Sequence, residues 1–546
     1  MDPVKSVAEY LIDRLMDAGV THVFGIPGDY VLKLYDRLSR SPLKVINTCD
    51  EQGAGFAADA YARIRGLGAV CVTYGVGALK LVNTTAQAYA ERSPVVVISG
   101  APGLAQQAGN PLLHHKSAGF DTQLRIFEQI TAAAAVLKNP HTATREIDRA
   151  IGMARKTSRP VYLEIPSDIV QAPVGEFEPW QEVEHYDEKA LEEAVAEAKA
   201  LLDKAERPVV LAGVELARFG LQKNFENFLA QTGLPFATTL MGKSVVDETH
   251  PRFAGVFEGS MGREDVRQFV EESDGLLLLG AMLTDLNTGI FTARLDPACT
   301  IAATADGIRI SHHAYHDIPI GPFLQALQES GLKNRAQLTC PACMTSTEPF
   351  APQSGRSLSI RRFFECLNDF ITDHHVVIAD PGDALFGASD LVIRGETEFL
   401  SPAYYASLGF AVPAAIGVQT AAPEKRPLVL VGDGAFQMTG MELTAAARYG
   451  LNPIILIVNN GGYGTERPMI DGPFNDVHPW AFNELPRLLG SGRGWKVDTE
   501  TQLAQTLQEA SKNLEGFSLI DVTIPRGDYS AALRRLTDRL AKRTRG

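Results

Sequence analysis

Cysteine is scarce in this chain: six in 546 residues, too few to serve as a disulfide framework. No run of about 18 apolar residues is present, so no segment reads as a membrane-spanning helix. Basic residues are outnumbered, 51 Lys and Arg against 65 Asp and Glu, for a net charge of −14. That balance excludes the clustered cationic surface nucleic acid requires. The start carries no signal-peptide pattern, so the expected location is the cytoplasm. Cys340 and Cys343 form a lone C-x2-C with no second pair at zinc spacing, and they read as two incidental thiols. Lys and Arg do gather in the tail, 534–545, but Leu533, Leu536 and Leu540 recur there at helical spacing. This predicts an amphipathic C-terminal helix with a solvated basic face.

What is present is ordinary globular material, and 546 residues with 45% hydrophobic content give enough for three to four cores. Strand-like apolar runs alternate with helical patterns in three blocks, the signature of α/β architecture with doubly wound parallel sheets. The first block, 1–175, has strand candidates at 22–26, 45–48, 69–73, 95–99 and 160–165. A Pro- and Glu-containing stretch, 171–186, reads as the first linker. The middle block, 187–340, has candidates at 209–212 and 275–280, and a Pro/Ser/Thr-rich stretch, 339–356, follows it. The third block, 357–546, ends in the basic helix. One decoy lies in the middle block. Gly242-Lys243-Ser244 mimics the end of a P-loop, but Ala237 replaces the leading glycine, so no ATP site is expected.

The most informative feature is Gly432-Asp433-Gly434, separated by 24 residues from Asn459-Asn460. The apolar runs 428–431 and 454–458 precede the two halves, and 438–449 carries good helix formers between them. Such a β-α-β unit puts Asp433 and Asn460 at the carboxyl ends of parallel strands, where open α/β sheets bind ligands. A carboxylate, an amide oxygen and a nearby backbone carbonyl form a hard-oxygen set that Mg²⁺ shares with phosphate. Taken separately, Gly-Asp-Gly reads as a turn and Asn-Asn as a strand end; the spacing and the flanking strands favour the functional reading.

The constellation resembles the thiamine-diphosphate-dependent enzymes. Asp50-Glu51-Gln52-Gly53 is similar to that family's glutamate motif, Gly25-Ile26-Pro27-Gly28-Asp29-Tyr30 and Leu113-His114-His115 to its decarboxylase branch, and Glu466 to the glutamate decarboxylases carry beyond the asparagines. Gly464 and Thr465 depart from that pattern and make the pocket wall smaller and more polar. Read without the family, Glu51 is a helix N-terminal charge, the histidines are surface residues and Leu408 is a core leucine.

The resemblance spans the chain and is nearest to the pyruvate, indolepyruvate and phenylpyruvate decarboxylase group. It implies non-oxidative decarboxylation of a 2-oxo acid, aryl or larger aliphatic, to an aldehyde and CO₂ through a thiamine diphosphate enamine. It implies cofactor contacts from Glu51, Asp383, Leu408, Gly432, Asp433, Gly434, Ala435, Asn460 and Gly462, with Mg²⁺ on Asp433, Asn460 and Gly462. Glu51 would exchange a proton with the cofactor ring from a water-shielded pocket, and Asp29, His114, His115 and Glu466 would relay protons. Leu385, Thr465 and Met469 would line the substrate pocket. Glu51 and Asp433 fall in different blocks, and family precedent joins them across a subunit interface, implying a homodimer or a dimer of dimers. An acetolactate-synthase-like carboligase, whose relatives lack the histidine pair, and a non-catalytic protein of the same fold are the competing readings.

Overall fold

The computed structural model describes residues 5–175, 186–341, 349–395 and 397–544, with side chains as far as Asp538. Cys343, Leu540 and most of the first linker lie outside the described residues. Three sheets follow one another along the chain. The first is wholly parallel, in spatial order Lys44–Asn47, His22–Gly25, Gly68–Val72, Val95–Ala101, Val161–Pro166, Ala134–Val136. The third is also parallel: Glu398–Leu400, His375–Ala379, Arg426–Gly432, Ile454–Asn459, Ser518–Thr523, Arg493–Val497. Their central strands are buried on both faces, which is why they read as unbroken apolar runs.

The middle sheet corrects the expectation of a purely parallel one. Five parallel strands, Thr300–Thr304, Gly275–Leu279, Pro208–Ala212, Phe236–Thr239 and Phe253–Phe257, are extended at one edge by Gly307–Ile310 and His313–Tyr315. Gly307–Ile310 pairs antiparallel with Thr300–Thr304 through a tight return at Ala305-Asp306, and with His313–Tyr315 through a second one at Ser311-His312. A turn that short cannot make a parallel crossover, so the edge is a meander.

The first and third units meet inside one chain along two helices. Helix Glu51–Arg65 starts at Asp50, whose side chain accepts the Gln52 N–H, and stops at Gly66, which takes the left-handed φ of 84°. Its Phe56 and Ala60 share one core cluster with Ala411, Val412, Ala414, Ala415 and Val418 of helix Ala411–Ala421, which lies close against it. At the crossing, a Cβ on Gly417 would stand 2.0 Å from the Ala57 carbonyl oxygen, so glycine is required there.

The P-loop decoy is an inter-domain fastener. Lys243 is buried and donates to both oxygens of Glu248, at 3.0 and 2.8 Å, and to the Leu391 carbonyl of the third unit. Glu248 in turn accepts the Ile393 N–H at 2.8 Å. Replacing Lys243 by methionine strands a buried carboxylate and is expected to destabilise the fold by about 3–5 kcal/mol, read as an earlier urea transition.

The segment expected to be one helix, 438–449, is broken. Helix Asp433–Thr439 passes into a 3₁₀ turn, Gly440–Glu442, before helix Leu443–Arg448. A Cβ on Gly440 would collide with the Phe436 ring at 2.4 Å, and the tightened turn lets Glu442 accept the Cys49 and Asp50 N–H groups across the domain boundary. No helix among the described residues is long and apolar enough to cross a membrane. The C-terminal helix, Ala531–Thr544, forms as expected, and its Leu533 and Leu536 are buried with Phe386, Met261 and Ile290.

Candidate active site

The carboxyl edge of the first sheet gathers the proton-handling candidates. Asp29 begins the 3₁₀ turn Asp29–Val31 just beyond strand His22–Gly25, and Glu51 begins its helix just beyond strand Lys44–Asn47. His114 and His115 come from the loop after strand Val95–Ala101. The His114 Nε2 stands 2.6 Å from Asp29 Oδ2, and the His115 Nε2 3.8 Å from Asp29 Oδ1. The two imidazoles meet edge to face, 4.7 Å between centroids, and the Tyr30 ring lies 4.9 Å from that of His114. With Nε2–H donated to Asp29, the His114 Nδ1 faces the Tyr30 hydroxyl at 3.5 Å. The Tyr74 hydroxyl donates to the His114 carbonyl and fixes the loop from the other side. Asp29 and His114 are about half exposed, so the cluster opens outward. Glu51, by contrast, keeps only 14% side-chain exposure and pairs with Lys80 at 3.1 Å. The shielded pocket expected for it is therefore partly formed within one chain, with an ammonium beside the acid.

The carboxyl edge of the third sheet holds the second cluster. Strands Arg426–Gly432 and Ile454–Asn459 are parallel neighbours, with Gly432 opposite Val458, so Asp433 and Asn460 emerge side by side as expected. Buried Asp433 accepts the Gly434 N–H on Oδ1 and the Gly461 and Gly462 N–H groups on Oδ2, at 2.8, 2.8 and 3.0 Å. Burial raises its pKa, and these three N–H groups work against that. The two asparagines part company. Asn459 turns to the sheet and donates to Asp521, whereas the Oδ1 of Asn460 is buried with no hydrogen-bond partner among the described residues. Such an orphaned oxygen beside a buried carboxylate fits a hard divalent cation. A Cβ on Gly462 would stand 1.9 Å from the Asn475 carbonyl oxygen and one on Gly434 2.7 Å from the Tyr463 ring, so both glycines are needed for the chain to fold back over Asp433. Gly432 caps helix Asp433–Thr439 and Ala435 is buried beneath it.

The remaining expected site residues divide. Thr465 faces Gly382, where a Cβ would stand 3.5 Å from its Oγ1, and Glu466 is exposed on the turn that also carries half-buried Met469. Leu408 is half-buried at the end of a loop held by Asp380, whose oxygens accept the Gly409 and Ala411 N–H groups at 2.9 and 2.8 Å. Asp383 is buried, its pKa pushed up to about 6 by desolvation, and its Oδ2 accepts the Ser530 N–H at 2.9 Å. It thereby anchors the C-terminal helix, with its Oδ1 unpaired. Leu385 corrects the pocket reading: it is 0% exposed, in the core cluster with Val377, Leu430 and Leu456, and offers no surface to a substrate.

Three residues of this edge were not picked out from sequence. Asp380, fully buried with its pKa raised to about 7 by desolvation, fixes the Leu408 loop. Arg467 donates to the Gly461 and Asn475 carbonyls and pairs with Asp471 and Asp476, bracing the loop over Asp433. Tyr529 closes in from the C-terminal segment, 3.6 Å from where a Gly464 Cβ would lie. Asp380 and Tyr529 act on chain remote in sequence, whereas Arg467 acts within ten residues, with Asp471 at i+4 as its one local signal.

Three family models match: the thiamine pyrophosphate enzyme N-terminal TPP binding domain at residues 5–124, the central domain at 195–327 and the C-terminal TPP binding domain at 383–522. The chain is 38% identical to an indole-3-pyruvate decarboxylase of Azospirillum brasilense, with 97% of each chain covered. It is 35% identical to an alpha-keto-acid decarboxylase of Mycobacterium avium (strain 104), over 96% of this chain and 95% of that one. A Mycobacterium tuberculosis (strain ATCC 25618 / H37Rv) alpha-keto-acid decarboxylase is 34% identical over 99% and 98%. Two carboxyl-edge clusters, all three family domains and full-length likeness to decarboxylases lead to one statement: the chain belongs to the thiamine pyrophosphate enzymes, in their decarboxylase group.

Proposed function

We propose that this enzyme decarboxylates aryl 2-oxo acids such as indolepyruvate or phenylpyruvate, releasing CO₂ and an aldehyde. The observation that carries the reading is the Asp29–His114–His115 cluster on the sheet edge that also presents Glu51. A proton donor set is what an enzyme needs when it ends its cycle by protonating carbon and releasing an aldehyde. Thiamine diphosphate, when bound, supplies the electron sink for the bond to the departing CO₂. Asp433, the free Oδ1 of Asn460 and the Gly462 carbonyl would hold Mg²⁺ and through it the diphosphate. Glu51, with 14% side-chain exposure and Lys80 beside it, would be the acid that exchanges a proton with the bound cofactor. Asp29 orients the His114 imidazole so that its Nε2 proton is held at the cluster's open face. Leu408 and Tyr529 keep water away from the third-sheet side of the cleft, where Thr465 and Glu466 form the wall.

The two clusters belong to different sheets, and exposed apolar residues sit beside each: Val76 at 54% near Glu51, and Met438 and Met441 at 51% and 43% near Asp433. This supports a homo-oligomer in which a second copy covers both patches and brings Glu51 of one chain to Asp433 of another. The working compartment in this reading is the cytoplasm.

A steady-state panel from pyruvate through branched-chain to aryl 2-oxo acids, with CO₂ and aldehyde both quantified, tests the proposal. The expected result is equal CO₂ and aldehyde, and a kcat/KM for phenylpyruvate or indolepyruvate at least about tenfold above that for pyruvate. Coupled acyloin in place of free aldehyde would convert the reading to a carboligase. A preference for pyruvate would overturn the pocket assignment.

A further inference from the structure

Beneath the histidine loop lies a buried polar chain to which no catalytic role has been given. Gln123, 5% exposed, sits in helix Thr122–Phe127 immediately after that loop. Its Nε2 donates to the Ser99 Oγ at 2.9 Å and to the Tyr162 hydroxyl. The Tyr162 hydroxyl donates to Glu164 Oε2 at 2.6 Å. Tyr162 and Glu164 are two apart on strand Val161–Pro166, so their side chains leave the same face, and Ser99 stands opposite Glu164 on the neighbouring strand. Ser99, Tyr162 and Glu164 are exposed by 0%, 0% and 4%. The Tyr162 ring is locked by stacking on Phe127, 4.5 Å between centroids and 9° between planes. With its amide group tied down in this way, Gln123 has one orientation, and its Oε1 accepts the Gly75 N–H at 2.7 Å.

Gly75 is the centre of the segment that touches every proton-handling group of this edge. A Cβ on Gly75 would stand 2.1 Å from the His115 carbonyl oxygen, and Tyr74 donates to the His114 carbonyl. A Cβ on Gly77 would stand 3.3 Å from Glu51 Oε1, and one on Gly28, beside Asp29, 2.6 Å from the Thr73 side chain. Gly75 at φ 66° and His115 at φ 67° both occupy the left-handed region, which His115 adopts only when its surroundings enforce it. Segment 73–77 is thus a common backing plate for Asp29, Glu51, His114 and His115, and the Gln123 oxygen is what grips it from below.

We propose that Gln123, aimed by Tyr162 and Glu164, is the positioning residue that sets the geometry of these four groups without touching substrate. The proposal rests on the decarboxylase reading above. Gln123→Met keeps the length and removes both hydrogen-bonding ends; Tyr162→Phe keeps the stacked ring and removes only the hydroxyl. In the cofactor-loaded enzyme, Gln123→Met is expected to lower kcat by about tenfold to a hundredfold, the scale of a misplaced catalytic group. KM and the thiamine diphosphate titration should stay within about threefold of the unmodified enzyme, and the pH profile of kcat/KM should shift. A readout independent of turnover is hydrogen–deuterium exchange, which should quicken in the peptides spanning 73–77 and 113–116 in both variants. Tyr162→Phe should show the same pattern in smaller degree, and it decides the question alone if Gln123→Met fails to fold. Folded, loaded variants with kcat and pH profile within about twofold of the unmodified enzyme would overturn the proposal. If the unmodified enzyme releases no aldehyde, the decarboxylase reading falls and takes this inference with it; if it does and the variants match it, only the inference falls.

Discussion

Asp433→Asn is expected to abolish Mg²⁺-dependent binding of thiamine diphosphate, and turnover with it, while the third sheet stays folded. The carboxylate does two jobs at once. It accepts three backbone N–H groups that fold Gly461 and Gly462 back over the strand ends, and it supplies the negative oxygen beside the unpaired Asn460 Oδ1. An amide keeps the shape, but removes the charge and points an NH₂ at N–H groups already donating. Loss of one partner from a buried, hydrogen-bonded charge site is worth about 2–5 kcal/mol, so affinity should fall by roughly thirtyfold to several thousandfold. Calorimetric titration with Mg²⁺ and cofactor reads the loss, and circular dichroism reads the fold. Undiminished cofactor binding would remove Asp433 from the anchoring site.

Glu51→Gln is expected to do the opposite: retain the cofactor and lose the rate. Glutamine preserves the size of the side chain at the first position of helix Glu51–Arg65 and a hydrogen bond to a ring nitrogen, but it has no proton to exchange. General acid–base contributions run to about 10²–10⁴, and the fall in kcat should lie in that range. Cofactor affinity measured in the same preparation should change little. A variant turning over at near the normal rate with bound cofactor would remove Glu51 from the mechanism.

How much of this could be read beforehand depended on the range of the interaction. The strand pair 428–431 and 454–458 announced itself because parallel strands buried on both faces must be continuously apolar. The spacing between Asp433 and Asn460 followed from a single crossover connection between neighbouring parallel strands. By contrast, His313–Tyr315 is a three-residue edge strand with no apolar run to betray it, and Ala134–Val136 lies in an alanine-rich run, 132–137, whose residues favour helix. The helix expected at 438–449 failed at Gly440, where tertiary contacts with Phe436 and the Cys49–Asp50 turn outweighed good local propensity. Leu385 was taken for pocket wall because nothing local distinguishes a core leucine from a lining one. Asp380 and Gln123 were not singled out because their partners lie elsewhere in the chain or in a backbone amide, which leaves no spacing pattern. The identities of chemical groups are written locally; the supports that aim them are written across the fold.

Asp383 shows what that means for handling the protein. A single buried carboxylate at the mouth of the third sheet grips Ser530, the residue just ahead of the final helix, and Leu533 and Leu536 then seat that helix on Phe386. Trimming the chain ahead of Ser530 would bare an acid that has little water around it and strip the cover from Phe386 in the same cut. The last helix is better regarded as a hinge pin of the cleft than as a handle for tags.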